Sequence, residues 1–216
     1  AITVIFAPEY SSATQGVHQA SHVTFLSRRG FLSEEEMKDT LTAVVQACGR
    51  LSERHHGALI VIQRAQGLLE YIETGVPMKA DVTPELLLQI FYPNTPLHDG
   101  AVIIVENQVK AASCVMPLSA SGVLNRSPDR TMGLRHRAAL GISEVSDAIA
   151  VVVSEETGSI SIAQNGKMIR RLNMERFQNT LFAFFQPAEL PGDQSLLQRL
   201  RALFGQDSDH PGGGGA

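Results

Sequence analysis

The chain has 216 residues, a length that suits one domain with terminal extensions better than two independent hydrophobic cores. With 44% hydrophobic and 19% charged residues, it is neither a wholly disordered chain nor a collagen-like or disulfide-rich one. The formal net charge of −4 offers no chain-wide cationic field, so we expect no nucleic-acid partner and a local grip on any polyanionic ligand.

The first predicted elements follow an N-terminal segment, residues 1–32, that shows no clear pattern. A capping box formed by Ser33 and Glu36 predicts a helix that ends near Gly57. Residues 57–63 are apolar and rich in β-branched side chains, which is typical of a strand buried on both faces. A second strand is expected at residues 68–72.

The middle of the chain continues with a helix and two strands. Thr83 as an N-cap and Pro84 at the first helical position predict a helix that ends before Pro93. The turn-forming residues 94–100 lead into a buried strand at 101–105, and another strand is expected at about 109–116. Residues 117–130 predict a long surface loop before a further helix.

Three more strands and a helix complete the predicted domain. The strands are expected at residues 148–153, 159–163 and 167–172, with a hairpin turn at Asn165-Gly166. An amphipathic helix that contains Phe177 follows. Because strands alternate with helices but tight hairpins require antiparallel pairs, we predict an α/β fold: a single domain with a central mixed β-sheet flanked by helices on both faces.

The two cysteines and the apolar runs limit where such a chain works. Cys48 and Cys114 are far apart in sequence and predict neither a zinc site nor a redox pair, but small buried hydrophobes in a reducing compartment. The longest apolar runs fall well short of the roughly 18 residues that a membrane-spanning helix needs. We therefore expect a soluble chain.

A first polar cluster lies before a buried strand and consists of His98, Asp99, Gly100 and Ala101. The small residues Gly100 and Ala101 let a ligand approach the backbone. Asp99 has the chemistry to bind Mg²⁺ or Mn²⁺, or to accept a proton from a hydroxyl nucleophile. A turn in which Asp99 only accepts hydrogen bonds from nearby amides is the structural alternative.

A second cluster, Gly133 to Arg137, opens a predicted helix. Arg135 and Arg137 then stand at the positive end of the helix dipole, which is unfavourable by roughly 0.3–1 kcal/mol. A bound phosphate would reverse that sign, because free helix N–H groups and guanidinium groups both favour it. The alternative is that both arginines reach solvent or surface carboxylates, and His136 alone is more typical of a core histidine.

A third cluster, Ser154, Glu155 and Glu156, follows another buried strand. Strand alternation points only one of the two glutamates at a common site, so one metal ligand is plausible and an acidic hairpin turn is the alternative. The sequence lacks the P-loop, Rossmann, serine-hydrolase and zincin motifs. Residue chemistry alone therefore indicates a metal-assisted site for a phosphorylated ligand.

These clusters, read as Leu97-His-Asp-Gly-Ala, Gly-Leu-Arg-His-Arg-Ala-Ala139 and Val153-Ser-Glu-Glu-Thr-Gly, strongly resemble the diadenylate cyclase domain, whose signatures are the motifs DGA and RHR. The similarity extends from about Ser33 to Leu172. It implies a catalytic domain at residues 33–186, after the N-terminal segment 1–32. Residues 187–216 are expected to be a C-terminal appendage with a disordered Gly-rich tail.

The resemblance also implies roles for individual residues. Asp99 would lie near the attacking ribose 3′-hydroxyl, and the triphosphate would be held by Arg135, His136 and Arg137. A divalent cation, Mg²⁺ or Mn²⁺, would be held by His98, Asp99 and Glu156. Contacts with the nucleotide are implied for a third set: Gly100, Ala101, Met116, Gly133, Leu134, Ser154 and Glu155.

The implied reaction condenses two ATP into cyclic di-AMP and releases two pyrophosphates. Each 3′-hydroxyl attacks the α-phosphorus of the other nucleotide, so two protomers must face one another and a homodimer is the expected active form. The start of the chain resembles the beginning of the domain in the membrane-tethered class of the family. We therefore expect a cytoplasmic catalytic part whose only membrane connection is an N-terminal segment absent from this chain.

Two positions depart from the family pattern. Leu134 stands where the family commonly has Thr, and Val115 stands where it often has an aromatic residue. These departures keep open a degenerate sensor that binds ATP or cyclic di-AMP without turnover. A third hypothesis, a protein-interaction module, leaves the helix-start arginines unexplained. The enzyme is favoured because Asp99, Arg135 and Arg137 are intact.

Overall fold

The computed structural model describes residues 34–120 and 132–185. Within these ranges the helices are α1 (Glu34–Glu53), α2 (Leu69–Ile72), α3 (Pro84–Ile90), α4 (Leu134–Val145) and α5 (Met174–Phe185). The strands are β1 (Ala58–Ile62), β2 (Val76–Asp81), β3 (Ala101–Val105), β4 (Gln108–Cys114), β5 (Ile149–Val153), β6 (Ile160–Gln164) and β7 (Lys167–Leu172).

All seven strands form one sheet in the order β2-β4-β3-β1-β5-β6-β7. The central strand β1 pairs in parallel with β3, where Ile60 is opposite Val102. On its other side β1 is antiparallel to β5, where Ile60 is opposite Val151. The remaining pairs are antiparallel. The predicted mixed sheet is therefore confirmed.

Apolar layers cover both faces of the sheet. On one face Ile60 and Val151 pack in a cluster with Val44 of α1 and Phe177 of α5. On the other face Leu59 of β1 belongs to a second cluster that includes side chains of α4. The central strands β1 and β5 are buried along their whole length, as their continuous apolar sequence predicts.

The strand expected at residues 68–72 is wrong, because this segment forms the single helical turn α2. The Leu68 N–H donates to the Gln63 side-chain oxygen at 2.9 Å, and the Ile72 N–H donates to the Leu68 carbonyl at 3.0 Å. Leu68 is buried but the adjacent Leu69 is 65% exposed, whereas a strand buried on both faces would bury both side chains. The strand that follows this turn is β2, a mostly exposed edge strand. It was not predicted because it contains a proline and charged residues.

Several sequence predictions are confirmed by local contacts, and others lie outside the described residues. Thr83 caps α3, with its Oγ1 accepting a hydrogen bond from the Leu86 N–H at 3.2 Å. Cys48 and Cys114 are free and buried, and burial raises their thiol pKa values to about 12 and about 11. Ser33, most of the loop predicted at 117–130 and both terminal segments are not described.

No helix in the described ranges is long and apolar enough to cross a membrane.

Candidate active site

The topology of the sheet brings the three polar clusters to one edge. Because β1 and β3 are parallel, their N-terminal ends lie side by side, and the end of the antiparallel β5 joins them where Ala58 is opposite Val153. The α4 N-terminus meets the same edge. The result is a cavity of about 710 Å³, within the usual size of a small-molecule site of roughly 300–1,000 Å³.

Most of the predicted site residues line this cavity. They are His98, Asp99, Gly100, Met116, Gly133, Leu134, Arg135, His136, Ser154, Glu155 and Glu156. Two others do not line it. Ala101 is fully buried in β3, and Arg137, in the first turn of α4, is not among the residues that line the cavity. The structure thus brings the three clusters together, although it excludes one member from each of the first two.

Arg135 is the cation at the centre of the cavity. Its Nη1 donates to Glu155 Oε2 at 2.6 Å, and its Nη2 lies 4.0 Å from Asp99 Oδ1. Nη2 also donates to the His98 carbonyl at 3.4 Å. Its Nε is buried and has no hydrogen-bond partner among the described residues. One guanidinium therefore links all three clusters and keeps one buried donor without a partner among the described residues.

His98 has its tautomer set by a backbone contact. Its Nδ1 bonds to the Thr95 carbonyl, and because a carbonyl oxygen only accepts, Nδ1 carries the proton. In the neutral imidazole Nε2 then has a free lone pair, and Nε2 lies 3.6 Å from Asp99 Oδ1. The His98 Nε2 lone pair and the 83% exposed Asp99 carboxylate are therefore two neighbouring groups that can act as metal ligands in the cavity.

These two ligand groups suit a divalent cation whose remaining coordination positions are filled by substrate oxygens. Mg²⁺ is usually held by one or two carboxylates together with phosphate oxygens and water, rather than by a cage of protein ligands. Among the described residues no group of three or more His, Cys, Asp or Glu side chains is close enough to hold a metal alone. The three-residue set His98, Asp99 and Glu156 therefore stays a prediction.

His136 is half-buried in the wall of the cavity. Burial lowers its pKa below the ordinary value of 6.5, the Arg170 charge lowers it further, and the Glu156 charge opposes both. The imidazole is therefore neutral at pH 7 and adds no positive charge beside Arg135.

We expect His136 to weaken the folded state in acid. Because its pKa is lowered on folding, the unfolded state binds the proton first, so stability present above pH 6.5 is lost as the pH falls through the folded-state pKa. Urea unfolding of His136→Asn between pH 7.5 and pH 5 should show a flatter loss than the unchanged chain. His55→Asn, at an exposed position, is the matched control and should retain the full loss. Parallel curves for His136→Asn and the unchanged chain would contradict this.

Two glycines shape the cavity edge. Gly100 has φ of +97°, and a Cβ there would lie 2.8 Å from the Cys114 carbonyl oxygen, so only glycine fits between the first cluster and β4. Gly57, just before β1, lies beneath the Arg135–Glu155 ion pair. A Cβ on Gly57 would meet Arg135 Nη1 at 2.7 Å and Glu155 Oε2 at 2.8 Å. Sequence reasoning placed Gly57 between a helix end and the start of a buried strand and missed this role.

Gly57→Ala should weaken ligand binding in the cavity without unfolding the chain. The added methyl group meets the far ends of two flexible side chains, so the ion pair shifts while the backbone stays. We expect the ligand that the sequence resemblance implies, ATP, to bind about threefold to tenfold more weakly in calorimetry, with a melting temperature close to that of the unchanged chain. Gly67→Ala is the matched control, because a Cβ there meets nothing within 4 Å. Equal affinities in the two variants would remove Gly57 from the site.

Part of the cavity lining is apolar, and we call this part the apolar wall; sequence reasoning had found only some of its residues. Val115 is 67% exposed and Leu134 is 69% exposed, and both line the cavity with the buried Met116. The Val115 N–H donates to Thr74 Oγ1 at 2.9 Å, which fixes the start of this wall. Further lining residues absent from the sequence prediction are Leu59, Ser113, Cys114, Leu118, Ala138 and Val153.

Comparisons with known proteins agree on one family. The family model described as DAC, DisA bacterial checkpoint controller nucleotide-binding, matches residues 45–168. Cyclic di-AMP synthase CdaA of Bacillus subtilis is 45% identical over 86% of this chain and 66% of its own length. A diadenylate cyclase of Listeria monocytogenes is 42% identical over 84% of this chain and 64% of its length. This chain thus spans slightly less than two thirds of these two relatives.

Shorter relatives and solved structures are covered more fully. A diadenylate cyclase of Mycoplasma genitalium is 38% identical over 71% of this chain and 74% of its own length. A crystal structure of DacA from Staphylococcus aureus, a double mutant, is 42% identical, with a TM-score of 0.66 over 71% of this chain and all of that chain. A hypothetical membrane spanning protein of Bacillus cereus is 36% identical, with a TM-score of 0.57 over 74% and 78% of the two chains.

Proposed function

Because the chain belongs to the DAC family of nucleotide-binding domains, we propose that it is a diadenylate cyclase that condenses two ATP into cyclic di-AMP. The observation that carries the proposal is the convergence of Asp99, Arg135 and Glu155 on one cavity that is also lined by apolar side chains. Arg135 supplies the positive charge that a triphosphate needs, and the apolar lining suits a purine base.

The triphosphate is bound by Arg135 and by the first turn of α4. Gly133 is the N-cap of α4 and has no side chain to cap it, so first-turn N–H groups remain for an anion at the positive end of the helix dipole. Arg135 adds its unpartnered buried Nε and can exchange its 2.6 Å contact with Glu155 for phosphate oxygens. An anionic ligand thereby removes the electrostatic penalty of an arginine at this helix start.

Asp99 accepts the proton of the attacking hydroxyl. Its exposed carboxylate lies between His98 and Arg135 and accepts no hydrogen bond shorter than 3.5 Å among the described residues. The 3′-oxygen of one ribose forms a bond to the α-phosphorus of the second nucleotide, the bond to the β-phosphate oxygen breaks, and pyrophosphate leaves. Repetition in the opposite sense closes the ring, so the residues act mainly by positioning and charge stabilisation.

A divalent cation, Mg²⁺ or Mn²⁺, is the proposed cofactor, and His98 Nε2 and Asp99 would hold it with phosphate oxygens. Such a cation neutralises charge that develops on the phosphoryl oxygens. Glu156 is the third proposed ligand, but it also lies near enough to His136 to oppose the lowering of that residue's pKa.

Two facing copies of the chain form the proposed active state. Ring closure needs two nucleotides in opposite orientations, and each protomer supplies one cavity at one sheet edge. We also propose that the chain is the cytosolic part of a longer membrane-tethered protein. Support comes from its coverage of about two thirds of the first relatives and its likeness to a protein described as membrane spanning.

The alternative function, a sensor that binds nucleotide without turnover, is motivated by Leu134 and Val115. Two ATP analogues separate it from the enzyme. With ATP, the enzyme releases two pyrophosphates for each cyclic di-AMP formed. With 3′-deoxy-ATP, it binds the nucleotide but forms no product, because the attacking hydroxyl is missing, whereas 2′-deoxy-ATP keeps that hydroxyl and should react. A sensor would bind all three nucleotides and release no pyrophosphate from any of them.

A further inference from the structure

The two arginines of the second cluster occupy different sides of α4. Residues two apart in a helix are separated by about 200° around its axis. Arg135 accordingly lines the cavity, whereas Arg137 does not. Both have a buried Nε without a partner among the described residues, so burial alone does not distinguish them. Their contacts do.

Arg137 contacts the chain that follows β4. The Ser119 N–H donates to the Arg137 carbonyl at 3.0 Å, and Arg137 Nη2 donates to the Ser119 carbonyl at 3.5 Å, a long hydrogen bond. Ser119 thus has both backbone polar groups bonded to residue 137: its N–H to the backbone carbonyl, which any residue supplies, and its carbonyl to the arginine side chain. It is 1% exposed, which makes these bonds costly to lose.

Two further residues of α4 extend this contact along one helix face. A Cβ on Gly141 would lie 2.1 Å from the Pro117 carbonyl oxygen, so the chain after β4 lies directly against the helix there. Ser119 Oγ donates to Glu144 Oε1 at 2.6 Å. Arg137, Gly141 and Glu144 are spaced i, i+4 and i+7, and they therefore form one stripe, which we call the holding face.

The segment on the holding face is continuous with the apolar wall of the cavity. Met116 and Leu118 both line the cavity, and they flank Pro117, which contacts Gly141. Ser119 follows directly and is bound by Arg137 and Glu144. Displacement of residues 117–119 from α4 would therefore move Met116 and Leu118, which line the cavity.

We propose that Arg137 is a positioning residue that holds residues 116–119 as the base-side wall of the cavity, and that it is not a phosphate ligand. The inference rests on the proposed function for the identity of the nucleotide. It assigns the two arginines different work: Arg135 binds the phosphates, and Arg137 acts on the nucleoside through Met116 and Leu118.

Binding of ATP and of adenosine, which has no phosphate, distinguishes the two roles. Arg137→Ala should weaken the binding of both ligands by the same factor, about threefold to tenfold in calorimetry. Arg135→Ala should weaken ATP alone. Arg137→Lys, which keeps a donor for the Ser119 carbonyl, should recover part of the affinity for both ligands. Weaker ATP binding by Arg137→Ala with unchanged adenosine binding would overturn the proposal.

Ser119→Ala tests the same face without changing a charge. It removes the bond to Glu144 and should also weaken ATP and adenosine equally, which keeps the proposal testable if Arg137→Ala does not fold. A selective loss of ATP in this variant would again contradict the proposal.

Hydrogen exchange of the ligand-free chain tests the holding face whether or not the chain is a cyclase. The Ser119 amide should be protected in the unchanged chain by its bond to the carbonyl of residue 137. Arg137→Ala keeps that carbonyl but loses the side-chain bond to the Ser119 carbonyl, so the segment should leave α4 more often and the amide should exchange at least about tenfold faster. Arg54→Ala, at an exposed arginine of the turn after α1, is the control and should leave that protection unchanged. Equal Ser119 protection in all three proteins would overturn the role of Arg137, while absent ATP binding by the unchanged chain would overturn only the proposed function.

Discussion

Asp99→Asn is expected to abolish cyclic di-AMP formation while leaving ATP bound. The amide has the shape of the carboxylate but accepts no proton from the 3′-hydroxyl and is a poor ligand for Mg²⁺ or Mn²⁺. The loss of general-base catalysis alone is worth about 10²–10⁴-fold in rate, and the weakened cation contact adds to it. Product formation by mass-resolved chromatography, with ATP affinity by calorimetry, measures both effects.

Asp99→Asn should leave the free energy of unfolding nearly unchanged. The Asp99 side chain is 83% exposed, and substitutions at exposed positions usually alter the free energy of unfolding by less than about 0.5 kcal/mol. Asp81→Asn, an exposed aspartate on the edge strand β2, is the matched control and should retain full activity. A cyclase rate in Asp99→Asn equal to that of Asp81→Asn would remove Asp99 from the reaction.

Arg135→Ala is expected to cause the largest loss of ATP affinity. Arg135 joins Asp99, Glu155 and the His98 carbonyl at the cavity centre, and no other described arginine lines that cavity. Charge-assisted hydrogen bonds contribute about 1.5–3 kcal/mol, which corresponds to about 10- to 150-fold in affinity. Arg135→Lys should recover only part of this, because an ammonium group lacks the planar fork that binds phosphate oxygens in pairs.

The control for this substitution also removes one positive charge, but at a position away from the cavity. Arg54→Ala removes an exposed arginine near the end of α1 and should bind ATP as the unchanged chain does. Glu155 is 63% exposed, so its carboxylate is solvated when Arg135→Ala removes its partner, and the substitution costs little stability. If both variants bound ATP with equal affinity, the phosphate site would have to lie elsewhere.

The fold could be predicted where local pattern and burial agree. The continuous apolar residues of β1 and β5 predict strands buried on both faces, and Thr83 with Pro84 predicts the start of α3; all three are found. The edge strand β2 escaped prediction because it contains a proline and charged residues, and because its pairing with β4 depends on backbone geometry, including a bulge with Lys79 at φ of +51°.

The site could be predicted as three clusters, although not as one geometry. DGA, RHR and the Ser-Glu-Glu run are visible in the sequence, and eleven of the residues chosen from them and their surroundings line the cavity. Their spacing contains no information on which side of α4 each arginine occupies, so Arg137 was grouped with Arg135. Leu118 was missed because it reaches the cavity only through the path of the chain after β4. The position of Gly57 against the Arg135–Glu155 ion pair was missed because it depends on the sheet order.

The dependence of the cyclase rate on protein concentration tests the central claim most directly. The purified chain is incubated with ATP and either Mg²⁺ or Mn²⁺ over a wide range of protein concentrations, and the products are identified by mass. We predict cyclic di-AMP at a rate that rises faster than linearly with protein concentration, because two facing cavities must meet to close the ring. ATP that is bound but unchanged at every concentration and with either cation would contradict the enzyme and leave the sensor.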